Sequence, residues 1–496
     1  MLFNFNEAWS RATEAHYDVC VCGAGPAGIT VARKLAANGK KVLLLEGGDL
    51  SFSEKSQNHY KGKWVGPNPF WWLETGRLRY FGGSSNHWTG VCAIMDPVTF
   101  EKSHDEKRLP GWPISREEVL ANLEEAKEIL DIPNADFTRV KQPGFDSPLF
   151  DRYPFALSPP TRFFEKYGNE LKRSKQIDAF YNANLVDLRL TDDLKRVKYV
   201  SVRNYNGKIA EVSANQYVMA LHAIENARML LCANSQIPSG LGNNTGMVGR
   251  CFMESLNAPI GRFLVTDPEF WRSSVDSAGR REIALVMTQD LIRKLDVNNG
   301  VINYTPDAQP QSYGRLRVLK DFLRDTACAS PTITALSRDF VDFNCPGDGI
   351  IHSLVEQEAN PKSRVTLTNE VDSFGLRRVQ IDWEFADRDY KTIRALAIES
   401  AKEMARLNRA RVQLAPFILD PDARIHDMGV NMHHMGTTRM SFDPRFGVVN
   451  ENCQVHRVGN LFIAGSSIFP RCGGRNPTLG LVSLALRLGN FLSAQS

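Results

Sequence analysis

Four apolar residues, Val19-Cys20-Val21-Cys22, run without a polar break and stop at Gly23. Such a run predicts a strand buried on both faces. From Pro26 to Ala37 the apolar positions recur at helical spacing, and the segment ends near Gly39. A second apolar run, Val42-Leu43-Leu44-Leu45, closes on Glu46. Strand, helix and strand in that order predict the opening unit of a dinucleotide-binding α/β domain.

Later segments alternate between the two periods. Residues 113–131 predict a charged helix introduced by Pro113-Ile114-Ser115, and residues 70–95, rich in aromatics and glycine, predict a loop wrapped around a ligand. Strands are expected at Leu185–Leu190, Val197–Arg203 and Gln216–Ala220, with a helix from Ile224 to Ala233. Further on, 364–367 and 379–383 read as strands and roughly 387–408 as a long helix. The C-terminal residues return to a buried strand, Leu461 to Gly465, and a helix from Pro477 onward. No internal repeat breaks this pattern.

Length and composition change the picture little. A chain of 496 residues is long for one core and suits two or three domains. With 60 basic against 56 acidic residues the net charge is +4, which gives no reason to expect nucleic acid as a partner. No stretch has the length or apolarity of a membrane span, and the polar N-terminal residues carry no apolar signal core. Nine cysteines without paired spacing favour a reducing compartment, so a cytoplasmic enzyme is the simplest expectation.

Two segments carry chemistry. Gly23-Ala24-Gly25-Pro26-Ala27-Gly28 has the spacing of a phosphate cradle. There Gly23 makes the tight turn, Gly25 admits a pyrophosphate to the backbone, and Gly28 lets helix and strand pack closely. Glu46, at the end of the next strand, is placed to accept hydrogen bonds from adenosine ribose hydroxyls. The pattern fits NAD and FAD alike. Near the C-terminus, Met432-His433-His434-Met435-Gly436 sets two imidazoles before a glycine turn, and Arg475-Asn476-Pro477-Thr478 opens a helix. Asn476 and Pro477 read as a common helix start, N-cap and first residue. A neutral imidazole can take a hydroxyl proton near neutral pH, and an amide can orient that hydroxyl without competing for the proton. A metal site at His426, His433 and His434 lacks a carboxylate or cysteine complement.

Taken together, these segments resemble the glucose–methanol–choline (GMC) family of FAD oxidoreductases, and within it the sugar-oxidising branch of pyranose oxidases and fructose dehydrogenase-like enzymes. The resemblance runs through 17–50, 77–96, 183–254, 356–383 and 431–491. It implies an α/β fold: a discontinuous Rossmann-like FAD domain (1–100, 181–260 and 430–496) and a substrate domain on an antiparallel sheet (101–180 and 261–429). FAD, not NAD, is the implied cofactor.

By the same resemblance His433 is the catalytic base and Asn476 its partner, while Gly465 and Ser466 make a second pyrophosphate contact. The backbone of Val186 meets the adenine, and Pro477 and Thr478 open the helix aimed at the flavin. Gly83, Ser84, Asn86 and His87 lie in the loop against the ring, and His87 falls where pyranose oxidases attach FAD covalently. Two positions depart from the family: His222 stands where glycine is usual, and Ser255 where histidine is frequent, so a family hydrogen bond is expected to be missing. The implied reaction is oxidation of an alcohol, foremost a ring hydroxyl of a sugar or glycoside, with hydride passing to flavin N5. The alternatives are a non-redox FAD lyase of the same family or a non-sugar alcohol substrate. The electron acceptor would be oxygen, a quinone or a separate redox protein, because no haem-binding Cys-x-x-Cys-His occurs in the chain.

Overall fold

The computed structural model describes residues 1–70, 73–102, 108–274, 282–306, 348–425 and 428–495. Its first layer is a six-stranded, wholly parallel sheet in the order Leu2–Asn4, Ile177–Tyr181, Val42–Leu45, Val19–Cys22, Gln216–Met219, Leu461–Ile463. The two apolar runs at the N-terminus pair directly, Val19 against Val42 and Cys22 against Leu45, and every residue of both is buried. This is the signature of a parallel sheet covered on both faces. Helices Pro26–Ala37 and Thr478–Ser493 pack against each other on it.

A second six-stranded sheet is wholly antiparallel, in the order Ala410–Leu414, Ser255–Val265, Asp348–Glu356, Gly300–Pro306, Ile283–Met287, Phe150–Arg152. The 20-residue helix Asp387–Arg406 lies against it, burying Tyr390, Ile393, Leu396, Ala397 and Met404 along one face. Mixed α/β architecture is therefore observed, with three smaller sheets of two or three strands beside these two. The parallel sheet extends past the boundary expected at residue 180, because Ile177 to Phe180 pair with Val42 to Leu45.

Most sequence-read elements stand within a residue or two of their expected bounds. Two depart: the strand read at 364–367 runs on to Val371, and 113–131 forms two helices, Arg116–Leu120 and Leu123–Ile129. Ser115 starts the first with a reciprocal capping box to Glu118. The break falls at Asn122, whose backbone leaves helical geometry (φ −109°, ψ 26°) while its side chain accepts from Asn490 Nδ2 at 3.1 Å. A short polar side chain with a tertiary partner outcompetes the helix there.

Three neighbouring parallel strands end side by side, and the loops leaving them share hydrogen bonds: Ala220 donates to Cys22 O at 2.7 Å and Ala464 to Met219 O at 2.9 Å. In an open parallel sheet a ligand binds in the crevice outside the carboxyl ends of the strands.

Candidate active site

That crevice opens into a cavity of about 500 Å³, within the size range of ligand and cofactor pockets. Gly23 turns the chain at its rim with φ +107°, and a Cβ there would lie 2.4 Å from Ala220 O. A Cβ on Gly25 would meet nothing within 4 Å, so the backbone at that point faces open space. Gly25 also starts helix Pro26–Ala37 with no side-chain cap, which leaves the helix N-terminus to meet a phosphate with its own N–H groups. Gly28 stands behind the wall instead of lining it: a Cβ there would come 1.8 Å from Gly23 O.

Glu46 lines the cavity with both carboxylate oxygens anchored, Oε2 by Ala24 N–H at 3.0 Å and Oε1 by Gly48 N–H at 2.8 Å. Each oxygen keeps a lone pair for a ribose hydroxyl. Gly83, Ser84 and His87 line the cavity, as do Gly465 and Ser466. Ser466 also donates to His434 O at 2.7 Å. One expected contact is placed differently. Asn86 is not among the lining residues and turns its amide to Phe81 O at 3.0 Å. Val186, whose backbone is the expected adenine contact, stands in strand Asn184–Leu190 beside Ala183 and Leu185, which line the cavity.

His433 and Asn476 both line the cavity. His433 is half-buried, with Nδ1 3.1 Å from Ser255 Oγ and Nε2 3.4 Å from Asn476 Nδ2. Burial lowers its pKa to about 4, so the ring is neutral near pH 7. Asn476 caps no helix. Its amide spans His433 and the hydroxyl of Tyr153, which donates to Oδ1 at 3.4 Å. Pro477 and Thr478 follow at the cavity wall, where helix Thr478–Ser493 begins. Ser255, expected to forfeit a family hydrogen bond, makes one to His433 instead.

The turn presenting His433 is held from below by Glu254. Its Oε2 accepts Asn431 N–H at 2.9 Å, and Oε1 has no partner among the described residues. Burial pushes this carboxyl up to about 8, although backbone N–H groups of residues 431–433 pull the other way.

The sequence reading missed the charged wall of the same cavity. Arg77, fully buried, pairs with Glu225 at 2.7 Å, and Arg228 bridges Glu225 and Asp372 at 3.1 and 2.7 Å. The partners lie up to 148 residues apart, and only the i, i+3 spacing of Glu225 and Arg228 is local. His222 also lines the cavity, its Nε2 3.0 Å from His434 Nδ1. Burial lowers its pKa to about 3. Among the described residues no group of three His, Cys, Asp or Glu is placed to hold a metal, and His426 lies outside them. No helix among the described residues is long and apolar enough to cross a membrane.

Residues 359–485 match the family model described as GMC oxidoreductase. The chain is 24% identical to the 2-methyl-1,2-propanediol dehydrogenase of Mycolicibacterium austroafricanum, over 96% of this chain and 95% of that one. It is 33% identical to the C-glycoside 3-oxidase of Arthrobacter globiformis over a shorter stretch, 32% of this chain and 29% of that one. A fungal aryl-alcohol oxidase shares the fold, with a TM-score of 0.61 at 14% identity over 96% of this chain and 99% of that one. The chain is thus similar to the GMC oxidoreductases, enzymes that act on CH–OH donors and are generally FAD-dependent.

Proposed function

We propose that the protein oxidises an alcohol with FAD as its cofactor, and that the alcohol is a ring hydroxyl of a sugar or glycoside. The observation carrying this reading is the pairing of His433 Nε2 with Asn476 Nδ2 at 3.4 Å in the wall of the cavity that the glycine loop and Glu46 also line. FAD fits the residues present: Gly25 and the helix behind it for the pyrophosphate, Gly465 and Ser466 for its other side, Glu46 for the ribose, and Gly83, Ser84 and His87 for the ring. Held by these residues, FAD would supply a two-electron sink for the hydride, at N5 of its ring.

The chain's own residues manage the proton and the oxygen. With Nδ1–H donated to Ser255 Oγ, His433 keeps its Nε2 lone pair for the substrate hydroxyl proton. Asn476 Nδ2–H donates to the substrate oxygen and steadies the charge that grows as the O–H bond breaks. As hydride leaves the carbon, the C–O bond becomes a carbonyl and the proton stays on Nε2. The start of helix Thr478–Ser493 sets the positive end of its dipole at the cavity wall, where it would favour negative charge. The electron acceptor, oxygen, quinone or a redox protein, acts after this half-reaction.

A second substrate reading, a small branched diol, is favoured by the relative that matches along nearly the whole chain, whose name gives 2-methyl-1,2-propanediol as its substrate. The C-glycoside 3-oxidase match is shorter but closer in identity, and favours the glycoside. One experiment tests both. Purified yellow protein, mixed anaerobically with sugars, C-glycosides and small diols, should lose its flavin absorbance with the true substrate class. A colourless apoprotein that takes up no FAD, or a yellow one that no alcohol bleaches, defeats the proposal.

A further inference from the structure

The acid/base pair is completed by a residue from the antiparallel-sheet side of the molecule. Tyr153 follows edge strand Phe150–Arg152, and its N–H donates to Ala284 O at 2.8 Å. Its ring is gripped from two directions: Phe155 stacks on it at 5.4 Å with 24° between planes, and the Arg475 guanidinium lies 4.8 Å from its centroid. Arg475 is buried and itself held by Asp96 and by Asn299 Oδ1 at 3.4 Å. The phenol is thereby fixed in place, and its hydroxyl donates to Asn476 Oδ1 at 3.4 Å. Burial pushes the phenol up to about 12, so it remains a protonated donor throughout the working range.

An asparagine amide has two unlike ends of nearly the same shape. Which end faces His433 decides what the pair can do. With Oδ1 tied to Tyr153, Nδ2 faces Nε2 and the substrate oxygen as a donor. Rotated by half a turn, the amide would present Oδ1. It would then compete with His433 for the hydroxyl proton and favour a protonated ring. Tyr153 is the one residue among those described whose side chain hydrogen-bonds Oδ1.

We propose that Tyr153 is the positioning residue that sets the amide orientation of Asn476, and through it keeps His433 Nε2 available as the base. The inference rests on the reading of His433 and Asn476 as the acid/base pair, and Tyr153 acts on the reaction only through them.

Tyr153→Phe removes the hydroxyl and keeps the ring stacked on Phe155 and Arg475. The rate constant for anaerobic flavin reduction should fall about tenfold with substrate Kd little changed, since the donor is lost mainly from the transition state. The acid limb of its pH profile should move up by roughly one unit, because an acceptor now stands beside Nε2 and stabilises the protonated ring. In an Asn476→Ala background the same substitution should change the rate less than about twofold, as coupled residues acting on one step require. Histidine-selective ¹⁵N NMR on substrate-free protein reads the second effect without turnover, as an upward shift in the titration of His433.

A Tyr153→Phe enzyme with wild-type rate and an unmoved His433 titration overturns the proposal. So do equal losses in the wild-type and Asn476→Ala backgrounds, which would mark Tyr153 as packing alone. If no alcohol reduces the wild-type flavin, the functional reading fails, and the NMR titration still decides whether Tyr153 governs His433.

Discussion

Ser255 Oγ lies 3.1 Å from Nδ1 of His433, on the side of the imidazole away from Asn476. Ser255 opens the long strand Ser255–Val265, and its carbonyl also accepts Asn431 Nδ2 at 2.9 Å. One residue of the antiparallel sheet therefore holds both the ring and the turn that bears it. A ring with Nδ1–H fixed in this way must carry its lone pair on Nε2, the nitrogen that faces Asn476.

Ser255→Ala should accordingly leave the fold intact and blunt the reaction. The lost contact is a single hydrogen bond worth about 1 kcal/mol, and a freed ring also samples the tautomer with its proton on Nε2. Flavin reduction is expected to slow about five- to tenfold, with thermal stability down by no more than a few degrees. Stopped-flow reduction alongside thermal unfolding checks this, and an unchanged rate would show that Ser255 does not orient the base.

The pH dependence of reduction carries its own signature. A base must be neutral, so rate is lost as pH falls through the pKa of His433. Burial lowers that value to about 4, and the acid limb is expected between about pH 4 and 5, well below the ~6.5 of a free imidazole. Between pH 6 and 8 the rate constant should be flat. A limb centred near pH 6.5 would mean that His433 is solvated in the working enzyme, or that another group titrates.

How much of this could be read from the chain depends on how far apart the partners lie. The glycine loop and its flanking strands fit within thirty residues, and strict periodicity makes that unit legible without comparison. His433 and Asn476 lie 43 residues apart, and residue chemistry alone left His433 and His434 equivalent; the family resemblance separated them. Ser255 is 178 residues from His433 and Tyr153 is 323 from Asn476, so nothing in local pattern joins them. Val186 lies in a strand that was foreseen, and its neighbours Ala183 and Leu185 line the cavity.

Glu254 makes stability depend on pH in the less common direction for a carboxylate. Its pKa is raised to about 8 in the folded protein, against ~4.3 in an unfolded chain. The neutral form is favoured by folding, so stability is fully present below pH 4 and is lost progressively as pH rises to 8. Glu254→Gln keeps an acceptor for Asn431 N–H and cannot ionise. Its melting temperature relative to wild type should climb between about pH 5 and 8 and then level off. Parallel curves across that range would show that the carboxylate is ionised and accommodated in the fold.

His222 occupies a backbone region that suits only glycine, with φ +86° and ψ +157°. Its ring explains why a bulky residue is retained there: Nδ1 accepts Ile224 N–H at 3.3 Å, and Nε2 meets His434 Nδ1 at 3.0 Å. Nδ1 is thus the acceptor and Nε2 carries the proton, which fixes the tautomers of both histidines. Two substitutions separate backbone from side chain. His222→Ala loses both hydrogen bonds and keeps the strain, whereas His222→Gly loses the same bonds and relieves it. Strain of this kind costs about 1–3 kcal/mol, so the glycine variant should be the more stable by that margin. In a helix or strand the order is the reverse. Denaturant unfolding of the two variants measures the difference directly. An alanine variant equal to or more stable than the glycine variant would show that the backbone at 222 is not strained.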